Sequence, residues 1–505
     1  MKKSKTPTFI VERRCYTNID DEFILNKIFD CANKIYNVGV KHYREVIENL
    51  YKDSEFLETL ESFYTACKKK DEDLIEKYSQ LIFAIMKKYK LTEYDIHSYL
   101  GYEKVNAFEG AIGINIVQKL GSELYESIKK AVFRKTKIHY RKKGQTDCLS
   151  EKKANSGIIY KENKGVVYFK GRNIKLKPIR KTDTYMMEAL SHKVKYCKFV
   201  RKPFKNGYKY FLQIVLEGKP PKKLTKGKNT CGIDQGTSTL AEYNGKSAKF
   251  TVLADGVEKY NKEIQKLNDK YFRRLRLNNP NCFNEDGTIK KGIKFKNRTK
   301  GSNKALFELK NAYRKQTVYK KQELNKLVNR LISENSMFIK EEMNFKALQK
   351  RSKKTEKQET KSTITKKDGS EIEVYKNKKK KRFGKSIGNR CPGYLDKQLK
   401  KRCAQYECIV IEVDTKEYKA SKMNHITETA ENIKLSDRSK IIGKVRVQRD
   451  LYSSFLLFHS KNEKEIDYKA CKKDFKNFIK RQAEVVEEIK NKGDKTKNFG
   501  IKAFI

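Results

Sequence analysis

The sequence predicts a multidomain α+β protein, and three observations carry that expectation. The chain has 505 residues, more than one hydrophobic core usually organises. Apolar residues recur at helical spacing in some stretches and alternate in others, with abrupt changes between the two. The hydrophobic fraction is only 37% but rich in Tyr and Phe, so core material is present and wholesale disorder is excluded.

Residues 6–16, TPTFIVERRCY, read as a strand. Asp20 is positioned to cap a helix whose apolar residues fall at Leu25, Ile28, Phe29, Ala32, Ile35, Tyr36, Val40 and Tyr43. Helical patterns run on to about Phe133. The basic run Arg134 to Lys143, containing Lys137, Tyr140 and Arg141, is then either a solvated helix end or a contact to phosphate. From Gly157 to Glu217 the pattern is one of strands, closing in a hairpin signalled by Asn206 and Gly207. Tyr208, Tyr210, Leu212, Ile214 and Leu216 share a face expected in the core, whereas Lys198, Arg201, Lys202 and Lys205 are candidates to line a groove for a nucleic-acid backbone.

Residues 220–229, PPKKLTKGKN, predict a linker into a new domain. That domain opens with the strand CGID, then Gln235 and Gly236, then the strand KFTVL. Two long helices follow, one through Val257, Tyr260, Ile264, Leu267 and Tyr271, the other from about Asn303 to Glu334. The short strand MFIKE ends on Glu341. Residues 346–392 are polar and basic, with Arg351, Lys353 and Lys354 in one run and Lys378 to Arg382 in another. A helix through Leu395, Leu399 and Cys403 precedes a buried strand at Cys408 to Asp414, and a short helix begins near Asp450. The tail carries Tyr468, Cys471, Phe475, Phe478, Val486 and Ile489 at helical spacing, which predicts a docked helix.

Charge narrows the function. Lys and Arg number 116 against 62 Asp and Glu, a formal net charge of +54 spread along the whole chain. Self-repulsion on this scale calls for a polyanionic partner, and duplex DNA supplies one charge about every 1.7 Å. No apolar stretch approaches the roughly 18 residues of a spanning helix, and the first residues lack a signal-peptide core, so no membrane partner and a cytoplasmic location are expected. Eleven scattered Cys, with no CxxC pair, read as reduced core thiols and not as a zinc site.

In so basic a chain, acidic residues at the ends of apolar segments stand out: Asp234 after CGI, Glu341 after MFIK, and Asp450 at the start of an apolar helix. Metal-dependent phosphodiester hydrolysis needs such carboxylates clustered on rigid elements, and Mg²⁺ requires few protein ligands. Glu342 falls on the opposite strand face and reads as structural.

GIDQGT resembles the first RuvC motif, FIKEEMN (Phe338 to Asn344) the second and RDLYSS the third. In this order, with long insertions and a helical and strand-rich region before them, they resemble the TnpB nucleases and the miniature type V-F CRISPR effectors. The resemblance implies a bilobed protein. A β-rich wedge at 1–20 and 151–225 would hold an inserted helical recognition domain at 21–150. A RuvC-like, ribonuclease H type α/β nuclease domain would follow at 226–459, containing a target-loading insertion at 415–445, with a helical tail at 460–505. It further implies RNA-guided DNA cleavage, with Asp234, Glu341 and Asp450 as catalytic ligands to two Mg²⁺ ions, for which Mn²⁺ can substitute. The partners would be a guide RNA and double-stranded target DNA bearing a short flanking motif. The chain would act as a monomer, as TnpB does, or as a homodimer on one guide, as type V-F effectors do.

Two departures qualify the resemblance. Tyr452 replaces the usual Asn, and Ser453 and Ser454 the usual Ala pair, leaving Asp437 as a reserve ligand. Family members commonly carry a zinc-binding Cys cluster before the third motif, and Thr415 to Arg449 contains no Cys, so a zinc-less insertion is expected. The rival readings are a guided repressor that has lost cutting and an unguided RuvC-superfamily nuclease.

Overall fold

Nine residues of alternating burial, Thr8–Tyr16, form strand β1 at the centre of a seven-stranded sheet. The structure, a computed structural model, describes residues 6–108, 110–285, 287–290, 292–293, 295, 297–349, 357–365, 371–377, 383–433 and 437–491. The chain divides into two units, Met1–Pro221 and Lys222–Ile505.

In the first unit β1 leads into α1 (Ile19–Leu50). Its N-cap is Asn18, not the expected Asp20. The Asn18 side chain accepts from the Asp21 N–H at 2.7 Å and the Asp21 carboxylate accepts from the Asn18 N–H at 3.2 Å. This reciprocal box leaves Asp20 within the first turn, where its charge complements the helix dipole. All eight apolar residues expected to face the core are buried. Helices α2 (Ser54–Lys69), α3 (Glu72–Lys88), α4 (Glu93–Ala107) and α5 (Ile114–Arg134) follow, the first two capped by Asp53 and Asp71. Then come β2 (Cys148–Ser150), β3 (Ile158–Lys161), β4 (Val166–Phe169), β5 (Arg172–Leu176), α6 (Thr184–Leu190), β6 (Val194–Phe204) and β7 (Gly207–Glu217). The strand order is β2-β6-β7-β1-β5-β4-β3, antiparallel at every pairing. Phe29, Val40 and Leu124 of the helices share one core with Val11, Phe199 and Leu212 of the strands.

The β6–β7 turn differs by one residue from its sequence signal. Phe204 pairs with Gly207, so Lys205 and Asn206 form the tip. Gly207 starts the return strand at a φ of 139°, a conformation open mainly to glycine, which accounts for the residue there.

The second unit begins with a meander of β8 (Asn229–Gln235), β9 (Thr239–Tyr243) and β10 (Ala248–Val252). Helices α7 (Val257–Asn278) and α8 (Lys300–Glu334) lead to β11 (Asn335–Glu341), which lies parallel to β8. Next are α9 (Phe345–Gln349), an antiparallel hairpin of β12 (Lys357–Thr365) and β13 (Glu371–Asn377), α10 (Gly384–Arg390) and α11 (Pro392–Tyr406). Strand β14 (Ile409–Val413) then adds parallel to β11, giving the order β10-β9-β8-β11-β14. The sequence suggested a buried strand here. At the sheet edge, however, Ile409 is 54% exposed and Val413 alone is fully buried, because only one side of an edge strand is paired. After α12 (Thr415–Tyr418), the small hairpins β15 (Met423–Asn424) with β16 (Thr429–Ala430) and β17 (Ser439–Ile442) with β18 (Val445–Gln448) precede α13 (Arg449–Phe458) and α14 (Tyr468–Asn491).

Both faces of this sheet are covered. Cys231, Ile233 and Phe338 pack on Leu331 of α8 and Leu399 of α11. On the other face, Ile339 and Val413 pack with Phe455 of α13 and Phe478 of α14.

Candidate active site

Register brings two of the sequence-selected carboxylates together. Ile233 pairs with Lys340 across the parallel β8–β11 ladder, so Asp234 and Glu341 stand at the same level on adjacent strands. Side chains alternate along a strand. Ile233 packs in the core under α8 and α11, so Asp234 takes the other face, as does Glu341 two residues after Ile339. That is the face covered by α13, whose first turn carries Asp450. The helix lies almost on the strand: a Cβ at Gly232 would meet the Ser454 carbonyl oxygen at 2.1 Å and the Phe458 nitrogen at 2.4 Å. Gly236, just beyond the strand, closes the β8–β9 turn through its N–H to the Thr239 carbonyl at 3.0 Å.

The carboxylates act on one another. Burial holds the Asp234 carboxyl well above the ordinary carboxylate range, and the charges of Asp450 and Glu341 push it further. The Arg449 guanidinium and the Ser453 hydroxyl pull the other way. Burial also raises Glu341, against the Ala420 N–H and the Lys340 charge. Asp450 accepts from Arg449 Nε at 3.1 Å and Nη2 at 3.0 Å and lies 3.5 Å from Arg438 Nη1. Arg449 Nη1 donates in turn to the Asp437 backbone carbonyl at 2.8 Å. Asp437 therefore enters through its main chain, and Glu342 is exposed.

Three carboxylates supply the hard oxygen donors that a divalent cation such as Mg²⁺ prefers. Among the described residues, no three His, Cys, Asp or Glu side chains are drawn as close as a coordination sphere requires. Arg449 supplies the nearest counter-charge.

Sequence reading missed the supports of this site. Lys340, 1% exposed, points to the opposite sheet face and binds Asp396 at 3.0 Å and Glu412 at 2.8 Å, a buried cation held by two acids. Tyr452, singled out only as a departure from a motif, is fully buried. Its hydroxyl accepts from the His425 N–H at 3.0 Å and sits 2.7 Å from His425 Nδ1. Lys440 lies 4.4 Å from the Tyr452 ring centre and donates to the Met423 carbonyl at 2.5 Å. These contacts tie the 415–448 segment to α13. All eleven cysteines are free thiols.

The candidate nucleic-acid contacts separate into groups. Lys137 and Tyr140 are exposed, and Tyr140 stacks 4.4 Å from the Arg44 guanidinium. Arg141 is engaged internally, 3.6 Å from the Tyr36 ring centre and 2.8 Å from Glu123. Arg201 corrects the sequence expectation. Its side chain is 2% exposed, lies between the Phe29 and Tyr208 rings at 4.5 Å from each, and binds Asp147 at 3.0 Å. It faces the core because its strand neighbours alternate. Lys202, one residue on, faces outward and pairs with Glu12, as Lys198 does over Tyr196 at 5.6 Å. Arg351, Lys353, Lys354 and residues 378–382 lie outside the described residues. No described helix is long and apolar enough to cross a membrane.

No protein-family model and no curated protein sequence matches this chain. Among solved structures, a cryo-EM structure of a Cas12f1–sgRNA–target DNA complex superposes with a TM-score of 0.41 at 11% identity, over 89% of this chain and 98% of that one. A CRISPR-Cas12f ternary complex superposes with a TM-score of 0.26 at 12% identity, over 88% and 83%. At these scores neither likeness carries an argument about this chain.

Proposed function

We propose that the chain is an RNA-guided DNA endonuclease with a single RuvC-like site, in which Asp234, Glu341 and Asp450 hold divalent metal. The observation that carries the reading is geometric: register sets Asp234 beside Glu341 on one sheet face, and α13, which carries Asp450 in its first turn, packs against that face at Gly232. When bound, two Mg²⁺ ions would activate the attacking water and stabilise the leaving oxygen. Asp234 and Asp450 would share or bridge the ions, with Glu341 completing the second position. The Ser453 hydroxyl, which donates to the Arg449 carbonyl at 2.9 Å, lies beside Asp234, and the Ala420 N–H supports Glu341. Arg449 holds Asp450 and would have to yield part of that contact to a metal. The guided character is supported by the order of the three motif resemblances and by a net charge of +54, large enough for a guide scaffold and a heteroduplex together.

A guided DNA-binding protein without cutting is supported by one observation: Arg449 and Arg438 both engage Asp450, so counter-charge already occupies that carboxylate. One experiment separates the two. The full chain, purified with its copurifying RNA, is assayed for target binding and cleavage beside Asp234→Ala. Cleavage is expected to fall by at least about a thousandfold with target binding unchanged. Thermal stability should not drop, because the variant removes a charge that burial and its neighbours oppose. Cutting that survives the substitution overturns the site; a wild-type chain that binds and never cuts supports the repressor. Random copurifying fragments in place of one structured RNA overturn guidance.

A further inference from the structure

The central strands of the first unit have two unlike faces. Along β7, Tyr210, Leu212 and Ile214 are buried, whereas Lys209, Phe211 and Gln213 between them keep partial exposure. Along β1, Arg14 and Tyr16 are exposed on either side of buried Cys15, with Tyr16 at 47%. Arg14 pairs with Phe211 across the β1–β7 ladder, so these outward residues form one continuous row.

Aromatic rings and cations interleave on that row. Phe204 and Phe211 lie 6.4 Å apart and within 20° of parallel. Lys209 sits 4.9 Å from the Phe204 ring centre, and Arg14 6.0 Å from that of Tyr16. At the hairpin end the row opens into a cleft of about 400 Å³ that includes Arg14, Tyr16, Phe204, Lys209 and one acid, Glu22. Glu22 accepts from the Thr17 hydroxyl at 3.0 Å and has further lone pairs to offer.

We infer that this cleft is a binding site for an unpaired ribonucleotide within a single-stranded segment of RNA. A base stacks on an exposed ring, which is sequence-tolerant because every base has a π-face. The flanking phosphates meet Arg14 and Lys209. The Glu22 carboxylate repels phosphate but accepts from a 2′-hydroxyl, which is the group that distinguishes RNA from DNA. A duplex would bring only its backbone here, because its bases stack on one another and do not reach Tyr16. The inference rests on the nucleic-acid-binding part of the proposed function, not on cleavage.

The test uses the full chain freed of nucleic acid and a short single-stranded RNA carrying 4-thiouridine, with the deoxy oligonucleotide carrying 4-thiothymidine beside it. Irradiation and peptide mapping should place RNA adducts on the peptides of Tyr16 or of Phe204 to Lys209. Tyr16→Ala should weaken RNA binding about tenfold and Tyr16→Phe should preserve it. Because Tyr16 is half-exposed, its removal empties no core. Adducts found only elsewhere, or Tyr16→Ala binding like wild type, overturn the site; equal capture of the DNA overturns its assignment to RNA. Cross-linking with no cleavage by the wild-type chain would sink the nuclease reading alone, and cleavage without these adducts would sink the cleft alone.

Discussion

In the first unit Arg14 is exposed and Lys209 half-buried on one sheet face, whereas in the second unit Lys340 is 1% exposed between a strand and α11. An antiparallel sheet tolerates one wet face, so cations there keep their hydration and remain available to phosphate. A sheet covered on both sides has only its strand ends for isolated charge, and a cation in its interior must arrive with acids already in position. The same residue type is thus solvent-facing in one sheet and a structural member in the other. Burial, not composition, decides which.

The comparison can be broken most decisively at Lys340. Lys340→Met leaves Asp396 and Glu412 to Lys400 alone, and should cost about 3 kcal/mol in the urea-induced unfolding of the full chain. A loss under about 1 kcal/mol would mean that the buried cation is no more constrained than a surface one.

His425 sharpens the same point through pH. Burial first, then the charges of Lys472 and Lys440, lower its pKa from 6.5 to about 4. The unfolded chain therefore takes up the proton before the folded one. Stability from this residue is complete above about pH 6.5 and declines as pH falls toward 4, by roughly 3 kcal/mol in total. His425→Gln should flatten that part of the stability profile; an unchanged profile would show that the ring does not titrate as a buried neutral group.

The smallest effect is expected on the wet face. Arg14→Ala should leave stability within about 0.5 kcal/mol of wild type and lower the slope of log K against log salt for single-stranded RNA by about 0.7. A stability loss as large as that at Lys340 would erase the distinction between the two sheets.

Much of the site was legible because its residues violate their surroundings. Asp234, Glu341 and Asp450 are acids at the ends of apolar segments in a chain of excess positive charge. What the sequence could not supply was parity across elements. That Asp234 and Glu341 share a face follows from the Ile233–Lys340 register, which links strands more than a hundred residues apart. Within a single strand the period of two was available and underused. It separates Arg201 from Lys202, and Lys340 from Glu341, before any coordinates are known. Tyr452 reads as a defect in a motif because its partner, His425, is visible only once the chain is folded. The edge position of β14 was hidden for a related reason: an apolar run records that a strand is sticky, not whether one or both of its sides are taken. The helix of α1 was readable throughout except at its cap, where three polar residues within four positions, Asn18, Asp20 and Asp21, all qualified by type and only backbone geometry chose among them.

The seat of α13 on Gly232 limits how this protein can vary. A single added methyl there would strike main-chain atoms that have no rotamer to escape into, acting as a wedge beneath the helix and lifting Asp450 with it. Random mutagenesis of the chain should therefore return inactive clones at position 232 as readily as at the acids themselves, though 232 offers no chemical group of its own. Under the proposed function, an inactive but intact binder is made by trimming the carboxylate at 234 and leaving Gly232 alone.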